Sequence, residues 1–145
     1  MSTDVPEETE NAIGNTRFNT SKYVIHRQIE DSQDEQFSNE RQHPCYITKL
    51  PSHTARVNVG VVVAGGTSGN HRHYYESLIY IIIANGYSVV EGNKVGWKSD
   101  DIIYASPWSW HQHFNTDPDN AVLYLSDTNA PLLQSIGEID CEEAG

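Results

Sequence analysis

The sequence predicts a single all-β domain, a β-sandwich or small barrel, on three observations. Short runs of β-branched and aromatic residues recur from about Tyr46 onward, and each is closed by turn residues such as Gly, Asn, Asp or Ser. These runs follow one another at similar spacing. No stretch between them has the 3.6-residue apolar period of a helix. Short strands at regular intervals without intervening helices are typical of sandwiches and barrels.

The predicted strands follow in chain order, and turn signals separate them. Residues 56–64 are followed by a Gly-rich turn, and residues 78–84 by Asn85-Gly86. Because both central residues of a type I′ turn need positive φ, Asn85-Gly86 predicts a hairpin. The remaining predicted strands span residues 87–90, 95–97, 102–105 and 121–125. The one predicted helix is short, residues 131–136, begun by Pro131 and ended by Gly137.

Composition divides the chain into three segments. Residues 1–40 are predicted to form an acidic, partly disordered N-terminal arm, residues 41–137 the barrel, and residues 138–145 an acidic C-terminal tail. The arm has one brief apolar patch, Tyr23-Val24-Ile25. We expect this patch to cover an exposed strand edge across a two-fold axis, so the sequence predicts a homodimer.

Charge and composition exclude several kinds of partner. The net charge is −11 with only nine Lys and Arg residues, whereas nucleic-acid binding needs clustered basic residues. No apolar run approaches the ~20 residues of a transmembrane helix, and the first ten residues lack a signal-peptide apolar region. Two cysteines are too few for a disulfide framework. We therefore expect a soluble cytoplasmic protein that binds neither nucleic acid nor membranes.

Two pairs of histidines carry the strongest chemical signal. His71 and His73 flank one residue, and His111 and His113 flank another. Residues two apart in a strand point to the same face of the sheet, so each pair presents two imidazoles side by side. A single pair of this kind is more often exposed or hydrogen-bonded than ligating. Two pairs set among apolar and aromatic residues favour a metal site, because four buried imidazoles are poorly satisfied otherwise.

The segments around these pairs resemble the two motifs of the cupin superfamily. Gly69-Asn70-His71-Arg72-His73, continuing to Gly86, is similar to the first motif. The second is matched by Gly96, Asp100-Asp101 and Pro107-Trp108-Ser109-Trp110-His111-Gln112-His113-Phe114-Asn115. The resemblance covers about residues 56–130 and points to the gentisate 1,2-dioxygenase-like branch. It implies a jelly-roll barrel of roughly six to eight strands.

The resemblance also implies the ligand set. In this reading His71, His73 and His111 hold the metal, and Asn115, four residues after His111, favours that histidine over His113. His113 is then expected to act as a catalytic, proton-handling group.

The sequence departs from the wider superfamily at a glutamate position. Ser77 and Leu78 stand where many cupins have a glutamate ligand, and Glu76 joins the metal only if the chain bulges there. A three-histidine site is how the gentisate-like branch differs from other cupins. Members of that branch usually carry two barrels per chain, whereas this chain has room for one.

The chemistry of three neutral imidazoles indicates the cofactor and the reaction. Such a set leaves the full charge of a divalent ion and open coordination positions for a chelating substrate and O2, which favours Fe(II). Manganese, nickel, copper or zinc are possible occupants, because imidazole discriminates poorly among these metals. The predicted function is a non-haem Fe(II) dioxygenase that cleaves a small hydroxy-aromatic or enolic substrate. The alternatives are a redox-neutral isomerase, lyase or decarboxylase, and a non-catalytic metal- or ligand-binding cupin.

Four further residues complete the predicted site, Arg56 as a catalytic residue that contacts the substrate and Trp108, Trp110 and Asn115 as substrate-binding residues. Arg56 binds a substrate carboxylate if it faces the barrel, and an exposed arginine at a strand end is the alternative. Trp108 and Trp110 wall a pocket for a flat substrate, or else belong to an ordinary core. Asn115 is included as a predicted substrate-binding residue on the second motif.

Overall fold

The computed structural model describes residues 25–137 and 141–144. Within these residues ten strands occur: β1 (Cys45–Ile47), β2 (Arg56–Val62), β3 (His71–His73), β4 (Ser77–Ile83), β5 (Asn85–Val90), β6 (Asn93–Lys98), β7 (Ile102–Ala105), β8 (His111–Asn115), β9 (Val122–Thr128) and β10 (Cys141–Glu143). A 3-10 turn spans Ile29–Asp31, helix α1 spans Glu35–Arg41 and helix α2 spans Ala130–Ser135. The predicted short helix near the C-terminus is confirmed as α2.

The strands form two five-stranded sheets. The first sheet has the order β1-β2-β9-β4-β7 and the second the order β10-β3-β8-β5-β6. Every strand pair in them is antiparallel. The predicted all-β jelly-roll class is confirmed. None of the helices in the described part of the chain has the length and apolar character of a membrane-spanning segment.

The space between the sheets has an apolar end and a polar end. In the pairing of β2 with β9, Val62 lies opposite Val122 at one end and Arg56 lies opposite Thr128 at the other. The valine end belongs to the buried core, which comprises Val62, Ile79, Ile81, Ala84, Trp97, Ile103 and Val122. The polar end is where the histidine strands β3 and β8 meet the first sheet across the interior.

The hairpin predicted at Asn85-Gly86 is wrong. β4 ends at Ile83 in the first sheet, whereas β5 begins at Asn85 in the second, so the dipeptide lies where the chain changes sheets. A Cβ at Gly86 would lie 2.0 Å from the Phe114 carbonyl oxygen, so close strand packing requires this glycine. The tight hairpin instead joins β5 to β6 through Glu91 and Gly92, both with positive φ.

Helix α1 and strand β10 lie in the predicted arm and tail, for which no regular structure is predicted. Helix α1 lies mostly within the predicted arm, where its acidic sequence has little apolar periodicity. It begins after Asp34, whose side chain accepts a hydrogen bond from Phe37 N at 2.8 Å. Strand β10 lies in the predicted acidic tail and pairs with β3. Of the apolar patch in the arm, Tyr23 and Val24 lie outside the described residues.

Candidate metal centre

Strands β3 and β8 bring the two histidine pairs together on the inner face of the second sheet. His71 lies directly opposite His111 in the pairing of the two strands. All four imidazoles are buried, whereas the residues between them, Arg72 and Gln112, are half-buried on the other face. One nitrogen from each of His71, His73 and His111 lies within 4.8 Å of the others. Because side chains alternate between the two faces of a strand, the histidines of β3 and β8 point inward and lie close together, as the sequence predicts.

Backbone carbonyls orient these three imidazoles. Nδ1 of His71 lies 3.1 Å from Gly69 O, Nδ1 of His73 lies 2.7 Å from Tyr75 O, and Nδ1 of His111 lies 2.8 Å from Ser109 O. A carbonyl only accepts, so each Nδ1 carries the hydrogen and each Nε2 keeps a free lone pair. Metal-ligating histidines in proteins are held by this kind of hydrogen bond.

Burial keeps the three imidazoles neutral. It lowers the pKa of His71 well below its usual value, and the charge of Arg41 adds to this effect. Burial, with the neighbouring His111, lowers the pKa of His73 to about 3, and burial lowers the pKa of His111 as well. Neutral imidazole is the form that binds metal, so the donor set fits a divalent transition ion.

His113 differs from the other three in its hydrogen bonding. Its Nδ1 lies 2.7 Å from Ser88 Oγ, and the same oxygen accepts from Trp97 Nε1 at 2.9 Å. Ser88 is fully buried, and His113 Nδ1 is the acceptor in reach of its hydroxyl hydrogen. His113 therefore accepts at Nδ1 and carries its hydrogen on Nε2, which makes it a donor rather than a ligand through that atom.

The histidines line a cavity of about 40 Å³ between the two sheets. Its opposite wall comes from the first sheet, carries no charged side chain and combines apolar residues with polar ones. Asn58, Ser77, Ser126 and Thr128 contribute amide and hydroxyl groups to this wall. Two buried polar atoms in it, Asn58 Oδ1 and Thr128 Oγ1, have no hydrogen-bond partner among the described residues. Unpaired buried polar groups are costly, so this wall is suited to a guest with hydrogen-bonding oxygens.

A cation that sequence reasoning missed also lines the cavity. Arg41, at the end of α1, is buried and donates from Nη2 to Tyr75 OH at 3.3 Å. Its Nη1 forms an ion pair with Glu143 of β10. Tyr75 in turn stacks on His73, with ring centroids 3.7 Å apart. Arg41 lies in an acidic segment with no strand pattern, so the sequence contains no local signal for its place in the cavity.

A second missed group is Tyr124, which lines the cavity from β9. Its hydroxyl lies 3.1 Å from His43 Nε2, while His43 Nδ1 lies 3.1 Å from the Pro44 carbonyl. The Nδ1 hydrogen is used by that carbonyl, so Tyr124 donates to Nε2. A Cβ at Gly60 would lie 2.1 Å from Tyr124 Cζ. A glycine within the Val-rich strand was therefore the available signal that a large side chain crosses it.

The predicted substrate residues lie outside this cavity. Trp108 and Trp110 hold the Arg72 guanidinium, with ring centroids 4.2 and 4.7 Å from its Cζ. They alternate with the inward-facing Ser109 and His111, so they lie on the outer face and do not wall the pocket. Glu76 accepts from Tyr104 OH at 2.8 Å and is not part of the histidine cluster.

Asn115 and Arg56 also differ from their predicted roles. Asn115 Nδ2 donates to the carbonyls of Val62, Val63 and Asn120, so this buried amide ties loops together rather than contacting the cavity. Arg56 lines a separate surface groove with Thr48, Ser52, Pro131 and Gln134. Its position opposite Thr128 brings it next to the cavity wall but not into it.

Comparison with known proteins agrees with this geometry. Residues 58–126 match the family model described as a cupin domain. The chain is 33% identical over 67 residues to the 5-aminosalicylate 1,2-dioxygenase of Comamonas sp., which is 46% of this chain and 17% of that protein. It is 32% identical over 84 residues to the gentisate 1,2-dioxygenase of Haloferax sp., 57% of this chain and 23% of that protein.

Solved structures show the same fold. The salicylate 1,2-dioxygenase of Pseudoaminobacter salicylatoxidans superposes with a TM-score of 0.66 at 13% identity, over 71% of this chain and 29% of that chain. The barrel, the matched residues and the histidine cluster therefore resemble those of a cupin domain. Within that family, the similarity is to the three-histidine, gentisate 1,2-dioxygenase-like branch. It aligns with about a fifth of the length of the two curated relatives.

Proposed function

We propose that the protein is an Fe(II)-dependent dioxygenase that cleaves a small hydroxy-aromatic or enolic substrate. The observation that carries the proposal is the neutral cluster of His71, His73 and His111, whose Nδ1 atoms are all engaged by carbonyls. Relatives named as gentisate and 5-aminosalicylate dioxygenases support the same reaction class.

In the proposed reaction, both atoms of O2 are incorporated into one organic product. Bound Fe(II) would supply open coordination positions for substrate and O2 and a change of oxidation state that Zn(II) lacks. One C–C bond of the substrate breaks and both oxygen atoms enter the product. The substrate provides all the electrons, so no further reductant is required.

The chain's own residues have two parts in this proposal. His113 presents an Nε2 hydrogen beside the cluster and is the proposed catalytic hydrogen-bond donor to an oxygen of the reacting molecules, held in place by Ser88. Asn58 Oδ1 is proposed to accept a hydrogen bond from a substrate hydroxyl, and the Thr128 hydroxyl is proposed to donate to a substrate oxygen. The proposal assigns no substrate contact to Trp108 or Trp110.

The test is anaerobic loading with Fe(II), followed by gentisate, salicylate or 5-aminosalicylate and then by oxygen. We expect a spectral change on adding substrate before oxygen, and oxygen uptake equal to substrate consumed afterwards. Isotopically labelled O2 should place both atoms in the product. The His71→Ala variant, which lacks a proposed ligand, should take up no oxygen. His53 is exposed, so the control variant His53→Ala should retain oxygen uptake.

A different result would favour another chemistry. If the Fe(II) protein consumes no oxygen with any of these compounds, the dioxygenase proposal fails. Turnover without oxygen by the Mn(II) or Zn(II) protein would then indicate the redox-neutral isomerase, lyase or decarboxylase class.

A further inference from the structure

Arg41 is a buried cation in the same cavity as the histidine cluster. Its side chain is 4% exposed, and it contacts the Phe37 ring, the Tyr75 hydroxyl and the Glu143 carboxylate. Among the described residues that line the cavity, Arg41 is the only lysine or arginine. A buried guanidinium requires an anionic or hydrogen-bonding partner, because an unpaired buried charge is strongly unfavourable.

The anion that Arg41 now holds comes from the C-terminal strand. Glu143 lies opposite His71 in the pairing of β10 with β3, so its strand borders the strand that carries two of the candidate ligands. The Glu143 side chain is 33% exposed, far more than that of Arg41. Glu143 is therefore the exchangeable member of the pair.

We propose that Glu143 is an internal occupant of the substrate's anion site, and that a carboxylate substrate binds by replacing Glu143 at Arg41. This inference rests on the proposed function and narrows its substrate class to small molecules with a carboxylate beside the chelating hydroxyl. Arg41 is then the residue that selects for the carboxylate. Guanidinium and carboxylate make paired, charge-assisted hydrogen bonds, which suits either the internal or the incoming anion.

The cavity is too small to admit an aromatic substrate unless lining side chains move, as the replacement of Glu143 at Arg41 would require. About 40 Å³ is far below the roughly 300 Å³ or more of a typical small-molecule pocket. Arg41 lines this cavity, and its ion pair with Glu143 joins α1 to β10, so moving these two side chains apart is a local change that would free Arg41 for an anion in the cavity. The neighbouring Glu142 is a natural comparison. It pairs with Arg72 on the outer face, with Oε2 2.9 Å from Nε and 2.5 Å from Nη2.

The experiment measures binding rather than turnover. Calorimetric titration of salicylate into the Zn(II)-loaded protein reports the Kd without redox chemistry, and salicylamide serves as the ligand that lacks the carboxylate charge. We expect Glu143→Gln to lower the Kd for salicylate about tenfold, if Arg41 is free in roughly a tenth of wild-type molecules. Glu142→Gln should leave this Kd unchanged, and neither variant should alter salicylamide binding.

Two variants of Arg41 complete the test. Arg41→Gln should weaken salicylate binding by about a hundredfold while sparing salicylamide, and Arg41→Lys should retain part of the affinity. An unchanged or raised salicylate Kd in folded Glu143→Gln would overturn the proposal and leave the pair a purely structural contact. This outcome is independent of oxygen uptake, so a failed dioxygenase assay with the expected Kd pattern would overturn only the proposed reaction.

Discussion

The metal centre depends on single hydrogen bonds that decide which nitrogen of each imidazole is free. His71, His73 and His111 each donate from Nδ1 to the backbone carbonyl of a residue two positions away in the sequence, whereas His113 accepts from Ser88. Four histidines with the same burial therefore separate into three candidate ligands and one candidate donor. Backbone acceptors also make this arrangement insensitive to side-chain substitution nearby.

The ligand assignment predicts a specific pattern of metal loss. We expect His71→Ala, His73→Ala and His111→Ala each to reduce metal occupancy at least tenfold after dialysis, measured by elemental analysis. His113→Ala should keep most of the metal and lose activity. Equal occupancy in all four variants would contradict the site, and loss in His113→Ala alone would show that the wrong member of the second pair is assigned.

The lowered histidine pKa values predict acid sensitivity of the metal-free protein. Unfolded histidines take up protons near pH 6.5, whereas His73 in the fold does so only near its pKa of about 3. In that interval the unfolded chain binds more protons, so stability is present above pH 6.5 and is lost as pH falls. His73 alone accounts for about 2 kcal/mol between pH 6.5 and pH 5.

This prediction is checked by urea unfolding of the metal-free protein at pH 7 and pH 5. The free energy of unfolding should fall at pH 5, and His73→Gln should reduce the difference. Added Zn(II) should increase the free energy of unfolding more at pH 7 than at pH 5, because protons compete with the metal for the imidazoles. A pH-independent unfolding free energy would contradict the burial of neutral imidazoles.

At the scale of elements, three neighbouring strands of the second sheet, β8, β5 and β6, pack closely around Gly86. Gly86 of β5 pairs with Trp97 and with Asn115, and has no room for a side chain. In contrast, a Cβ at Gly96 of β6 would meet its nearest atom, Gly86 O, at 4.0 Å. The same residue type is therefore required at one position and replaceable at the other.

This contrast predicts unequal effects of two matched substitutions. Gly86→Ala should lower the free energy of unfolding by about 1–3 kcal/mol, because the nearest obstacle is a backbone carbonyl that cannot rotate away. Gly96→Ala should change it by less than about 0.5 kcal/mol. Urea midpoints of the two variants check the prediction, and equal midpoints would contradict the packing described for β5.

At the scale of the whole molecule, the outer face of the first sheet is unusually apolar. Leu78 pairs with Tyr104 and Tyr80 with Ile102 in the β4–β7 ladder, and Leu78, Tyr104 and Ile102 are each at least half exposed. Contiguous exposed apolar side chains mark interaction surfaces. The edge strands β1 and β7 of this sheet are further sites at which another chain can pair.

We therefore propose that the protein is at least a dimer, in keeping with the role expected of the N-terminal arm. Light scattering at micromolar concentration should give at least twice the mass of 16.3 kDa. Ile102→Glu should shift the population toward the monomer if the exposed sheet face is the interface. A wild-type monomer at this concentration would contradict the proposal.

The sequence by itself determined the all-β class and the pairing of the histidines on one face. Both follow from the two-residue period of strands, which is a local property that neighbouring residues reveal. The same local reasoning failed at Asn85-Gly86, because a dipeptide suited to a turn is also suited to a strand that another backbone approaches closely.

Only the tertiary structure decided which groups surround the histidines. Arg41 and Glu143 lie 102 positions apart, and Tyr124 meets His43 across 81 positions. Such contacts have no period along the chain, because they arise where separate elements meet. The resemblance already favoured His111 over His113, but the physical difference between the two depends on Ser88 and Trp97 from neighbouring strands. The sequence identified the ligating residue type, and long-range packing determined its protonation and its surroundings.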